Sequence, residues 1–260
     1  MSKKLEEHSD NTYDRSVPWG PVAAVLVTIG VYVGGQFLGA LLAAGVPAFQ
    51  GWSGERITDW FTDSTTGQFV LILCVEAVSL ALLYGFLRWR KSGFRALGLK
   101  RPKLRDAGYA FVGLGLYLPL FIGVTAGLTS LLPGLDVEQE QQIGFANAVG
   151  SLQLLLVFVS LVVLPPIVEE ILMRGFLYGG LRSRLQKWPA ALIASVIFAA
   201  AHLQFGSGAP LLWVAAIDTF VLSMVLVYLR ELTGSLWASI GLHALKNGIA
   251  FAALFIFHLP

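Results

Sequence analysis

The sequence predicts an all-α fold, a polytopic transmembrane bundle of about seven to eight helices, on three observations. Hydrophobic residues make up 56% of the 260-residue chain and charged residues only 13%, about half the ~25% usual in soluble domains. Mean hydropathy is +0.71. The apolar residues gather into stretches of about 18 residues or more, each long enough to cross a bilayer as a helix. A surface so short of charge faces hydrocarbon. The net charge of +2 argues against a nucleic-acid partner. The single cysteine, Cys74, rules out a disulfide framework or a thiolate zinc site.

Residues 1–16 form a polar N-terminal tail of mixed charge, without the short apolar core of a cleavable signal. Residues 17–260 read as one transmembrane domain. The apolar stretches run approximately Pro21–Val46, Gly67–Leu87, Ala107–Leu132, Ile143–Val168, Trp188–Phe205, Gly208–Leu229 and Gly234–Phe257. The fourth continues past Pro165–Pro166 into an amphipathic stretch reaching Leu185, which suits a re-entrant or interfacial element. The first carries Gly30, Gly34, Gly35 and Gly39, a spacing that lets two helices approach closely where packing drives association.

Loop charge sets the expected orientation. Arg88, Arg90, Lys91, Arg95, Lys100, Arg101, Lys103 and Arg105 crowd the connection after the second stretch. Pro133–Gln142 holds Asp136, Glu138 and Glu140 but no base, and Arg182, Arg184 and Lys187 form a further basic patch. Basic connections stay in the cytoplasm. Seven crossings starting from a cytoplasmic N-terminus satisfy every loop.

Ionisable residues inside the apolar stretches are Glu76, Glu169, Glu170, Arg174, His202, Asp218, His243 and Lys246. A charge at the bilayer centre costs about 2.5–3.5 kcal/mol on insertion scales, so each is a candidate functional residue. On a helix Glu170 and Arg174 share a face and can pair. Glu169 is turned by about 100° from Glu170 and is left free for another partner. His243 and Asn247, four residues apart, also share a face, and the amide can orient the imidazole or donate to an oxyanion.

One carboxylate, two imidazoles and one amide on three separate stretches make a water-activating set. The same residues can instead hold Zn²⁺, with His202 and His243 as nitrogen ligands and a glutamate nearby, although no H-E-x-x-H helix is present. Asp218 and Glu76 read as structural, either of them a partner for Lys246. At about 1.5 Å per residue, His202 lies about 20 Å and His243 about 13 Å from the cytoplasmic starts of their helices. Glu169 falls near the cytoplasmic end of a straight fourth helix. A kink at Pro165–Pro166, with the next segment re-entering the membrane, would ease this mismatch in depth.

Glu169-Glu170-x-x-x-Arg174, Phe198-x-x-x-His202 and His243-x-x-x-Asn247, in that order on hydrophobic segments, resemble the three-motif pattern of the CPBP family. These are the CAAX-protease and bacteriocin-processing intramembrane proteases, which include the type II CAAX-prenyl endopeptidases. The resemblance covers about Leu164–Gly248, within a motif-bearing core at about 143–257. It implies an intramembrane endopeptidase in which Glu169 activates water with help from His202. It also implies that His243 and Asn247 stabilise the oxyanion, or ligate a metal in an older reading, and that Glu170 and Arg174 are the supporting pair. The implied partners are a peptide or protein substrate, lipidated in one branch of the family, and the bilayer itself. A transporter or proton relay, or a scaffold that uses the polar residues as interhelical contacts, are the competing classes. No internal repeat favours the transporter.

Overall fold

The computed structural model describes residues 17–137, 139, 144–204 and 210–258. The expected polar tail, and the acidic residues Glu138 and Glu140, lie outside them. Eight helices make the described fold: α1 (Pro21–Phe49), α2 (Gly54–Asp63), α3 (Thr65–Trp89), α4 (Leu104–Leu131), α5 (Ser151–Arg182), α6 (Lys187–Ala201), α7 (Trp213–Thr233) and α8 (Trp237–Ile256). All except α2 and α6 are long and apolar enough to span a membrane, and the chain is a multi-pass integral membrane protein.

The seven expected spans are thus six, with α6 a shorter apolar helix of 15 residues. The path of the chain nevertheless keeps its sense. One end of the bundle gathers Pro18, Arg90 and Ser183, joined by Arg90 Nε donating to the Pro18 carbonyl at 2.9 Å and Ser183 Oγ to the Trp19 carbonyl at 3.4 Å. At the other end Gln139 bonds the Leu211 carbonyl and the Trp213 N–H. Helix α6 starts from the first end and α7 from the second.

Helices α1 and α3 form a close pair. A Cβ on Gly39 would lie 2.5 Å from the Val75 Cα, whereas one on Gly30 would meet nothing within 4 Å, so only part of the glycine series is a contact. Helix α2 was not anticipated. It is short, its face alternates charge with Ile57, Trp60 and Phe61, and it buries no residue, which suits the bilayer interface.

Helix α5 departs most from expectation. Residues 144–150 are not helical and Ile143 lies outside the described residues, so the helix begins at Ser151. It then runs through Pro165–Pro166 to Arg182 without re-entering, by taking wide i→i+5 turns at Val159–Val163 and Ile171–Leu177. Proline 165 has no N–H to give the carbonyl four residues back, which is that of Leu161. That carbonyl accepts instead from Asn247 Nδ2 on α8, at 2.9 Å. Such substitution by a neighbouring helix is how prolines survive in lipid.

This continuity resolves the depth problem. Glu169 stands thirteen positions before Arg182, about 20 Å from the basic end at 1.5 Å per residue, close to the depth of His202. The α7–α8 turn is recessed to match. A Cβ on Gly175 would lie 2.9 Å from the Leu97 Cβ and 3.3 Å from Leu236, so Leu236 sits level with Gly175, about two turns inside the basic end of α5. Seven residues on, His243 reaches the level of Glu169. The expected basic patch at 182–187 also changes character. Arg182 is buried, with its Nε 2.6 Å from Glu231 Oε1, and Tyr178 donates to the same oxygen at 2.7 Å. These contacts pin the end of α5 to α7.

Candidate active site

The motif residues converge from three helices. Glu169, His202, His243 and Asn247 all line one cavity of about 160 Å³, walled by Leu161, Leu222, Phe251, Leu254 and Phe255. Helix α5 supplies the carboxylates just before its second wide turn, a distortion often found at functional positions. Helix α6 supplies His202 as its C-terminal capping residue, and α8 supplies His243 and Asn247 one turn apart.

Glu170 faces away from the cavity and is fully buried. Its Oε1 lies 3.0 Å from Arg174 Nη1 and 3.0 Å from His243 Nδ1. A carboxylate oxygen accepts, so His243 Nδ1 carries the proton and its Nε2 edge turns towards Glu169. Arg174 has no well-aligned hydrogen bond despite the close charge contact. Its guanidinium lies 4.3 Å over the Phe198 ring, so charge and a ring face hold it together. Phe198 packs in turn edge-on to both His202 and His243. The residue that orients His243 is therefore Glu170, while Asn247 is partly committed to Leu161.

Glu169 is placed differently, with a side chain 29% exposed to the cavity. Its Oε2 is itself buried, makes no protein hydrogen bond and stands 3.9 Å from His243 Nε2. His202 Nδ1 lies 2.8 Å from the Phe198 carbonyl. Since a carbonyl only accepts, Nδ1 is the donor and Nε2 is left as an acceptor. The cavity therefore presents an unspent carboxylate oxygen, an imidazole acceptor, a second imidazole edge and an amide with one N–H unspent.

Glu76 on α3 lies within charge-interaction range of Glu169, and the Tyr32 hydroxyl donates to the Ala201 carbonyl at 3.3 Å, tying α1 to the residue before His202. Asp218 and Lys246 pair with each other at 2.6 Å on the cavity wall. Tyr117 donates to the other Asp218 oxygen. The sequence offered Asp218 or Glu76 as the partner of Lys246, and the structure pairs it with Asp218. Tyr117 on α4 carried no signal.

Zinc needs at least three protein ligands. Among the described residues no three His, Cys, Asp or Glu side chains are grouped to hold a metal ion. With Nδ1 bonded to Glu170, His243 offers Nε2 alone, and with too few donors grouped beside it the residues as arranged do not fit the zinc alternative.

Residues 151–249 match the family model described as type II CAAX prenyl endopeptidase Rce1-like. This segment is similar to the Rce1-like family. It contains Glu169, Glu170, Arg174, His202, His243 and Asn247, while Tyr32, Glu76 and Tyr117 come from the helices that precede it. No curated protein and no solved structure matches the chain.

Proposed function

We propose that the chain is an intramembrane endopeptidase that hydrolyses peptide bonds near the membrane surface with water activated by Glu169 and His202. The observation that carries this reading is the buried, unbonded Glu169 Oε2 facing a cavity that His202 and His243 also line. A carboxylate sheltered from bulk water and free of internal partners is suited to general-base work.

In the reaction, water bound between Glu169 Oε2 and His202 Nε2 gives a proton to Glu169 as its oxygen attacks the scissile carbonyl. The developing oxyanion takes hydrogen bonds from the unspent N–H of Asn247 and, in the imidazolium form, from His243 Nε2–H. Glu170 and Arg174 hold His243 in register. When the C–N bond breaks, Glu169 returns the proton to the leaving amine, so protons and charge balance. No step passes through a metal. The basic loops on one side support a cytoplasmic N-terminus. The Rce1-like match supports peptide substrates of the CAAX type.

The test is direct. Purified chain in lipid vesicles is incubated with peptides ending in a CAAX sequence, prenylated and not, and new termini are read by mass spectrometry. Defined cleavage that disappears in His202→Ala supports the reading. Cleavage undiminished in His202→Ala, or proton flux across the vesicle without cleavage, contradicts it.

A further inference from the structure

The end of the bundle that carries the basic loops gives partners to the bases it buries and leaves the others unpaired. Arg182 meets Glu231, and Arg230 Nη2 donates to the Leu97 carbonyl at 3.1 Å. The eight bases between Arg88 and Arg105 are all exposed, as is Arg184. None of them has an ion pair among the described residues. The described acids at this end are Asp106 and Glu231. Both are buried, and Asp106 accepts from the Lys103 N–H at 2.8 Å.

Two of the unpaired bases converge from different loops. Arg90 caps α3 and Arg184 follows α5, and with Trp19, Gly20 and Ser183 they line a notch of about 420 Å³ where α1 begins. Arg90 is fixed there, because its Nε and Nη2 both donate to the Pro18 carbonyl. Its Nη1 is left unspent. The Arg184 side chain makes no hydrogen bond to a described residue. The floor is firm, since Trp19 stacks on Phe176 at 4.9 Å and donates from Nε1 to the Phe176 carbonyl. Loop charge that only sets orientation requires no such convergence.

Two guanidiniums around one concave site fit a phosphate, whose oxygens accept from both planar forks. The height of the notch selects the kind of phosphate. It lies where three spans end, on the side of the bundle that exposes Trp89 and Trp188, which is the level of lipid headgroups. From it Val22, Leu26 and Ile29 run exposed down α1, an apolar stripe for an acyl chain. The surrounding bases repel the ammonium of a zwitterionic headgroup and favour a net negative one. We propose that this notch binds the phosphodiester headgroup of an anionic membrane lipid, held by Arg90 and Arg184. It shares no lining residue with the cavity of Glu169, so it stands whether or not the chain is a protease.

The experiment titrates the full chain, in neutral detergent, with phosphatidylglycerol, phosphatidylcholine or glycerol phosphate. Bound adducts are counted by native mass spectrometry, and thermal unfolding is followed on the same samples. Each base at a membrane surface contributes about fivefold, so phosphatidylglycerol should fill one saturable site about 25-fold more tightly than phosphatidylcholine. Arg90→Gln with Arg184→Gln should erase that preference. Lys100→Gln with Arg101→Gln removes as much charge at the start of α8, where Trp237 donates to the Lys100 carbonyl, and should keep it. Should Arg90→Gln release Pro18 and unfold the end of α3, Arg184→Gln alone should still lose about fivefold.

A preference that survives in the Arg90 and Arg184 variants, or that falls equally in the Lys100 and Arg101 pair, overturns the site. Glycerol phosphate binding as tightly as the lipid overturns the lipid assignment and makes the ligand a soluble phosphate.

Discussion

Arginine 174 offers the sharpest test of how the site is held. Its side chain and that of Glu170 are 1% and 0% exposed, and the two sit 3.0 Å apart beneath the Phe198 ring. Arg174→Met removes the cation and leaves the Glu170 charge buried, with His243 as its remaining partner. Breaking such a buried pair from one side costs about 3–5 kcal/mol, most of it the stranded charge. At roughly 2–4 °C per kcal/mol for a chain of this size, the melting temperature should fall by about 6–20 °C. The assay is thermal unfolding of purified protein in one detergent, followed by intrinsic tryptophan fluorescence. Glu170→Gln combined with Arg174→Met removes both charges and keeps a hydrogen-bonding amide for His243. It should therefore be more stable than Arg174→Met alone, by about 1 kcal/mol or more. A single variant that melts within about 2 °C of wild type, or a pair whose losses simply add, would refute the claim that a buried charge network holds the site.

Three further outcomes follow from the packing and the donor set. Asn247→Ala strands the Leu161 carbonyl and should cost about 1–3 kcal/mol; adding Pro165→Ala returns an N–H to that carbonyl and should recover part of the loss in the same unfolding assay. Gly39→Ala should destabilise by about 1–3 kcal/mol through overpacking against Val75, whereas Gly30→Ala, in open space, should leave the midpoint within experimental error. Cleavage by protein that elemental analysis finds free of zinc should persist at full rate in chelator; complete loss with zinc rescue would require a metal that the present arrangement does not accommodate.

The spanning helices were legible because a 20-residue apolar run has few other fates, and the polar motif residues stood out against them. Their convergence was not legible, since it depends on how far α5 runs. Pro165–Pro166 reads as a break when the helix is considered alone. Only the neighbouring Asn247 amide, which takes over the Leu161 carbonyl, and the wide turns either side make the helix continuous. For the same reason Asn247 looked like a companion for His243, when its nearer duty is to the backbone of α5. Arg182 reads as a solvated basic residue until Glu231, 49 positions away, is brought alongside it and Tyr178, one helical turn before it. Helix α6 was overestimated because hydropathy continues past its end, while its C-terminal carbonyls are already turning at His202.

The central claim is that Glu169 is the base that activates water. Its most direct test is kcat for cleavage of one defined peptide by wild type and by Glu169→Gln, in vesicles, with both proteins unfolding at the same temperature. A general base contributes about 10²–10⁴-fold, so the glutamine protein should lose at least a hundredfold in kcat with little change in KM. A variant that stays folded and cleaves within a few-fold of wild type would contradict the account.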